Sequence, residues 1–203
     1  MSAKLVAALS LVAALGCSLP AFAAGSVEAG QAKSATCGAC HGMDGNSLSP
    51  EWPNLAGQHA GYIEKQLRAF KAGERKNDLM APMAMIISDE DMADLAAYFS
   101  TQKARGGETE PSKLALGQQI YRGGDVQRGL IACAGCHGPN GRGNPLAGYA
   151  SIQGQHALYV SNQLRAYKSG TRATDPNQMM RNVATLLSDE EIDAVASYVQ
   201  GLR

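Results

Sequence analysis

Two pentapeptides, Cys37-Gly38-Ala39-Cys40-His41 and Cys133-Ala134-Gly135-Cys136-His137, each bring two thiols and an imidazole together. Thiols three residues apart can each form a thioether to one edge of a porphyrin, and the next histidine then falls beneath the iron. C-x-x-C-H therefore reads as the attachment site of a c-type haem, with the histidine as proximal ligand. A redox dithiol or a zinc ribbon shares the C-x-x-C alone. Two copies, each followed directly by histidine, favour haem. Cys40 and Cys133 stand 93 residues apart, far beyond the short spacings of a structural zinc site.

The opposite axial position needs a second donor, and the chain offers many methionines. An internal repeat chooses among them. The pentapeptides are offset by 96 residues, and Gly57-Gln58-His59 pairs with Gly154-Gln155-His156 at 97. Tyr62, Gln66-Leu67-Arg68-Ala69, Lys71, Gly73 and Arg75 recur at the same offset, and Ser88-Asp89-Glu90 recurs at 100. Counting eight residues back from Ser88 and Ser188 lands on Met80 and Met180. Met83, Met85 and Met92 face Val183, Thr185 and Ile192, and Met179 faces Leu79. Met80 and Met180 are the expected sixth ligands, with Met83 next in line. A methionine can equally be core filler. His59 and His156 also correspond, so bis-histidine ligation is the competing reading. Arg75 and Arg172 recur just before the methionines, where each could hold a haem propionate or stand solvated at a helix end.

The elements that position these groups read as helices throughout, which makes the fold all-α. Tyr62, Ile63, Gln66, Leu67 and Phe70 follow i, i+3/i+4 spacing, as do Tyr159, Val160, Gln163, Leu164 and Tyr167. Gly73 and Gly170 end those helices. Ser88 and Ser188 open a last helix, with Asp91 and Glu191 as capping-box partners. A short helix is expected before each haem motif, near Val27–Ala35 and Lys113–Tyr121. Thr101 to Ser112 is polar, carries Gly106-Gly107 and Pro111, and reads as a linker. The expected division is a signal peptide over 1–23, domain 1 over 24–104, a linker over 105–111 and domain 2 over 112–203. Each unit is close to the lower size limit for independent folding, and a covalent haem would add the missing apolar area.

Residues 5–15 are almost wholly apolar after Lys4, and Ala21-Phe22-Ala23 offers an A-x-A cleavage site, so export is expected. Cys17 would leave with that segment, and the other four of the 5 cysteines form the two haem pairs. Formal charge is zero, which argues against nucleic-acid binding. The charge is unevenly divided: residues 24–110 hold 8 Lys+Arg against 12 Asp+Glu, and residues 111–203 hold 9 against 6. Such a dipolar chain either orients partners or reflects drift in surface composition. Pro53, twelve residues after His41, could offer its carbonyl to the other ring nitrogen of that histidine. Its counterpart is Ala150, after Tyr149, so the two irons are expected to differ.

With these motifs together, the chain resembles the dihaem cytochrome c4 family of the class I cytochromes c. Asp44-Gly45-Asn46, Leu55-Ala56-Gly57-Gln58, Tyr121-Arg122-Gly123-Gly124, His137-Gly138-Pro139-Asn140-Gly141 and Tyr198-Val199-Gln200-Gly201-Leu202 carry the resemblance across the whole mature chain. It implies two tandem class I cytochrome c domains, each wrapped around a covalent haem c and meeting near their propionate edges. His/Met ligation would fall on His41 with Met80 and on His137 with Met180. It also implies a periplasmic electron carrier, loosely associated with a membrane, working between a cytochrome bc1-type donor and a terminal oxidase. Ala150 departs from a proline common in the family. A non-catalytic carrier is the leading reading. A cytochrome subunit of a larger dehydrogenase is the alternative, and a dihaem peroxidase would need an open iron position that two methionines would close.

Overall fold

A computed structural model describes residues 25–203. The expected signal segment, its cleavage site and Cys17 lie outside the described residues. Among the described residues the regular structure is helical, with two isolated β-bridges and no strand.

The first unit contains α1 (Val27–Lys33), α2 (Ala35–His41), α3 (Ala60–Lys71), α4 (Met80–Met85) and α5 (Asp89–Thr101). The second contains α6 (Leu114–Gly123), α7 (Ala134–His137), α8 (Ala157–Lys168), α9 (Met179–Thr185) and α10 (Asp189–Gln200). In each, the N-terminal helix crosses the C-terminal one, α1 on α5 and α6 on α10, and the third helix packs on the C-terminal one, α3 on α5 and α8 on α10. Two glycines permit the crossings. A Cβ on Gly30 would overlap the Asp94 carbonyl, and one on Gly117 would overlap that of Ala194. These glycines are 87 residues apart whereas the haem motifs are 96 apart, so the second unit carries nine extra residues between helix and motif. They form a turn closed by the Asp125–Leu130 bridge.

The helix ends follow the capping signals. Ser88 Oγ accepts from the Asp91 N–H and Ser188 Oγ from that of Glu191. The reciprocal bond, from the Ser188 N–H to the carboxylate, forms only with Glu191. Asp91 is one methylene shorter, and its carboxylate pairs instead with Lys33 of α1. Gly73 and Gly170 follow α3 and α8 with φ near 72° and 76°, which a side chain would resist. Both expected methionines stand on short helices, Met80 at the start of α4 and Met180 second in α9.

Each unit has one core. Ile63, Leu95, Ala96, Tyr98 and Phe99 form the first, and Cys37 packs against it. Ile120, Tyr121, Leu130, Leu187, Ile192, Val195 and Val199 belong to the larger second one, and Cys133 packs against it. Burying such stripes is what makes short helices hold in water. The expected linker is anchored rather than loose. Arg105 N–H donates to Asn46, Gly107 N–H to the Gln200 carbonyl, and Glu110 N–H to Ser197 Oγ.

Candidate haem sites and the interface between the units

Helix α2 carries Cys37, Cys40 and His41 on adjacent turns, and Cys133 caps the single turn α7 that carries Cys136 and His137. His41 Nδ1 donates to the Pro53 carbonyl at 2.8 Å and His137 Nδ1 to the Ala150 carbonyl at 2.9 Å. The expected difference at this position therefore does not arise. The acceptor is main chain, so replacing proline by alanine leaves it in place. Both rings are thereby oriented with Nε2 directed away from that carbonyl and available to an iron. Burial pushes both imidazoles down, which keeps them in the neutral form a metal needs. Burial likewise raises the Cys37 thiol and pushes Cys133 up to about 11.

The methionines separate by environment. Met92 is fully buried in α5, and Met43 and Met85 are exposed at 59% and 63%. Met80, Met83 and Met180 are half-buried, so the repeat remains the criterion that prefers Met80 and Met180.

Arg75 and Arg172 are not solvated; they lie buried between the units. Arg75 donates to Gln66 at 2.7 Å and to Tyr159 and Gln163 of the other unit at 2.9 Å. Arg172 mirrors it, donating to Gln163 at 2.8 Å, Tyr62 at 2.9 Å and Gln66 at 3.0 Å. Each guanidinium also covers an aromatic face of its own unit, Phe70 or Tyr167. A second symmetric set flanks the ring. Gln58 exchanges both of its amide groups with the backbone of Ser151, and Gln155 does the same with Asn54. His156 Nε2 lies 3.0 Å from the Ser47 carbonyl, so that nitrogen is taken by a cross-unit bond. His59 Nε2 is buried without a partner.

The charge at this interface is unbalanced. Among the described residues the arginine ion pairs involve Arg68, Arg105, Arg128, Arg165 and Arg181, leaving Arg75 and Arg172 with neutral acceptors only. The Nε of Arg172 is buried and unpartnered. Buried cations without an anion are costly. Burial pushes the Tyr62 phenol up, yet the Arg172 and Arg75 charges outweigh it and draw the group down. Among the described residues no carboxylate pairs with either guanidinium, since the nearby buried Asp175 is taken by Arg181, and the carboxylates of haem propionates would fit the donors present. The residues therefore suit two haems: a pair of thiols with its first member against each core, a neutral oriented imidazole beside each pair, and a cationic seam between the units.

The interface residues were only partly legible in the sequence. Gln66 and Gln163 sit inside the apolar stripes of α3 and α8, and that misplaced polarity in both copies was the available signal. Asn54 and Ser151 carried none, because their contribution is mostly backbone.

The cytochrome c family model matches residues 27–103 and 114–203. Cytochrome c4 of Stutzerimonas stutzeri is 47% identical over 204 residues, covering 96% of this chain and 97% of its own. The chain belongs to the dihaem cytochrome c4 family. The crystal structure of reduced recombinant cytochrome c4 from Pseudomonas stutzeri superposes with a TM-score of 0.86 at 47% identity, covering 89% of this chain and all of that one. A protein described as a thiosulfate dehydrogenase electron acceptor, from Stutzerimonas stutzeri, is 38% identical over 80% of this chain and 76% of its own length. As a cytochrome c4 relative with two cytochrome c matches, the chain is a dihaem electron-transfer cytochrome. Its two C-x-x-C-H motifs attach two c-type haems through Cys37 with Cys40 and Cys133 with Cys136. No helix among the described residues is long and apolar enough to cross a membrane.

Proposed function

We propose that this cytochrome is a periplasmic electron carrier of a respiratory chain, taking electrons from a bc1-type donor and delivering them towards a terminal oxidase, without catalysing bond chemistry itself. Signal peptide 1–23, domain 1 over 24–104, linker 105–111 and domain 2 over 112–203 form its organisation. His41 and Met80 ligate one iron, and His137 and Met180 the other. The observation that carries the reading is the symmetry of the two units about their shared Arg–Gln–Tyr seam. Each unit presents an oriented histidine and a repeat-equivalent methionine.

Each bound haem supplies a one-electron iron couple. The chain does the rest. The carbonyls of Pro53 and Ala150 hold the imidazoles in register and raise their basicity. Methionine sulfur favours the reduced metal and raises the potential. Arg75 and Arg172 would hold the propionates at the seam between the units. With histidine and methionine both holding the iron, the haem would exchange electrons by outer-sphere transfer. The acidic and basic halves orient the protein on its partners.

The engagement of His156 Nε2 by Ser47 weighs against histidine as the sixth ligand there. A second reading, a cytochrome subunit serving a dehydrogenase, is favoured by the likeness to the thiosulfate dehydrogenase electron acceptor.

The test is the visible spectrum of the oxidised protein with a redox titration. Two low-spin haems with a Met–Fe(III) charge-transfer band at the red edge are expected. Met80→Ala and Met180→Ala should each remove the contribution of one haem. High-spin iron in the native protein, peroxide turnover, or a band that keeps its full intensity after either substitution would overturn the assignment.

A further inference from the structure

Asp175 stands in the loop between α8 and α9, yet its carboxylate is only 1% exposed. One of its oxygens accepts from Arg181 Nε at 2.8 Å and the other from the Arg181 backbone N–H at 3.0 Å. The two bonds clasp the segment that contains Met179 and Met180. Within the clasp, Asn177 and Gln178 are consecutive left-handed residues, with φ of 52° and 57°. Side chains resist that region, and two in succession persist only where the surroundings hold them. The pairing of the buried Asp175 carboxylate with the partly exposed Arg181 side chain spans this turn.

The first unit solves the same problem differently. Asn77, exposed and uncharged, accepts from the N–H groups of Leu79 and Met80 at 3.1 and 2.8 Å, and no left-handed pair precedes Met80. The far end of the methionine helix differs too. Arg128, on the nine-residue addition of the second unit, donates to the Leu186 carbonyl at the end of α9 and pairs with Glu191. A lysine bonds the carbonyl just past both methionine helices, Lys71 to Ile87 and Lys168 to Leu187, so what the second unit adds is the charged clasp of Asp175 before Met180 and the Arg128 tie behind it.

We propose that Asp175 is a positioning residue for the axial methionine of the second haem, holding Met180 in register so that this iron surrenders its methionine less readily than the first. The inference rests on Met180 as ligand, as proposed above.

The test uses the full-length, haem-loaded protein in the oxidised state. In the Met80→Ala background the remaining Met–Fe(III) band reports the second haem alone, and imidazole is titrated against it. Asp175→Asn keeps the shape and removes the charge. It should lower the imidazole concentration for half-loss of the band by about tenfold or more, because a charge-assisted pair becomes a neutral contact. Arg181→Ala keeps the backbone N–H bond and should fall between. A merely structural role would lower the melting temperature and leave the imidazole affinity unmoved. Unchanged affinity in Asp175→Asn overturns the proposal; if that variant fails to load haem, unchanged affinity in Arg181→Ala does so. In the native background, a Met180→Ala protein that keeps the full band would sink the ligand assignment itself. Loss of the band there with no effect of Asp175→Asn sinks only the positioning role.

Discussion

A buried guanidinium needs an anion or a full set of acceptors, and Arg75 and Arg172 share two amide oxygens and two phenols between them. Sharing Gln66 and Gln163 keeps two like charges close together, which in a medium of low polarity is tolerable only with negative charge nearby. A propionate beside them would be held ionised. Adding an electron to a haem makes it more negative, so a neighbouring cation favours the reduced state and raises the potential. Arg172→Leu should therefore lower the mean haem potential by tens of millivolts, on the order of one charge about 10 Å away at an effective dielectric near 20. A spectroelectrochemical titration reads this directly. Arg172→Lys should recover only part of the shift, because an ammonium cannot span Gln163, Tyr62 and Gln66 as the planar fork does.

The crossing of the first and last helices of each unit sets how far the haem motif lies from the methionine helix. Close approach is possible because Gly30 and Gly117 present bare backbone to α5 and α10. Alanine at either position would meet a carbonyl and then the Cβ of Tyr98 or Tyr198 at 2.8 Å. Gly30→Ala and Gly117→Ala should each cost about 1–3 kcal/mol by overpacking, despite alanine's better helix propensity. Denaturant unfolding followed by far-ultraviolet circular dichroism of the holoprotein measures it. A gain in stability would mean that the helices can move apart freely. The loss at Gly30 should be compared with that at Gly117, since α1 is also tied by Lys33 to Asp91 and Asp94, whereas α6 reaches α10 through Arg122 and the Tyr198 hydroxyl.

Across the whole molecule, the two units meet through pairs related by the repeat: Gln58 with Ser151, Gln155 with Asn54, Arg75 with Tyr159, Arg172 with Tyr62. Each glutamine satisfies a backbone N–H of the other unit and spends its own amide on a carbonyl there. Removing one leaves partly buried backbone groups without protein partners, at up to about 1 kcal/mol each because water reaches them. Gln58→Leu combined with Gln155→Leu should uncouple the units without unfolding them. Nuclear spin relaxation of the holoprotein would show two separately tumbling halves instead of one body, and intramolecular electron exchange after flash reduction would slow. Rigid tumbling in the double variant would show that the arginine seam alone suffices. The anchored linker limits the separation, since Gly107 and Glu110 bond to α10 and Arg105 to the first unit.

Local chemistry and periodicity were enough to read the haem motifs, the helical classes, the duplication and the two preferred methionines, because each depends on residues close in sequence or on a register that repeats. The Ser88 and Ser188 caps were legible for the same reason. The reciprocal capping box formed only at Ser188, where Glu191 has the reach that Asp91 lacks. Tertiary structure alone decided the rest. The partner of His137 is a main-chain carbonyl, to which the identity of residue 150 is irrelevant. Arg75 and Arg172 became buried interface cations because helices far apart in sequence bring Gln66, Gln163, Tyr62 and Tyr159 around them. The clasp of Asp175 on Arg181 depends on a backbone conformation that no spacing announces. A sequence records which groups exist and how often they recur; which of them lose water, and against whom, is settled only when the chain has closed on itself.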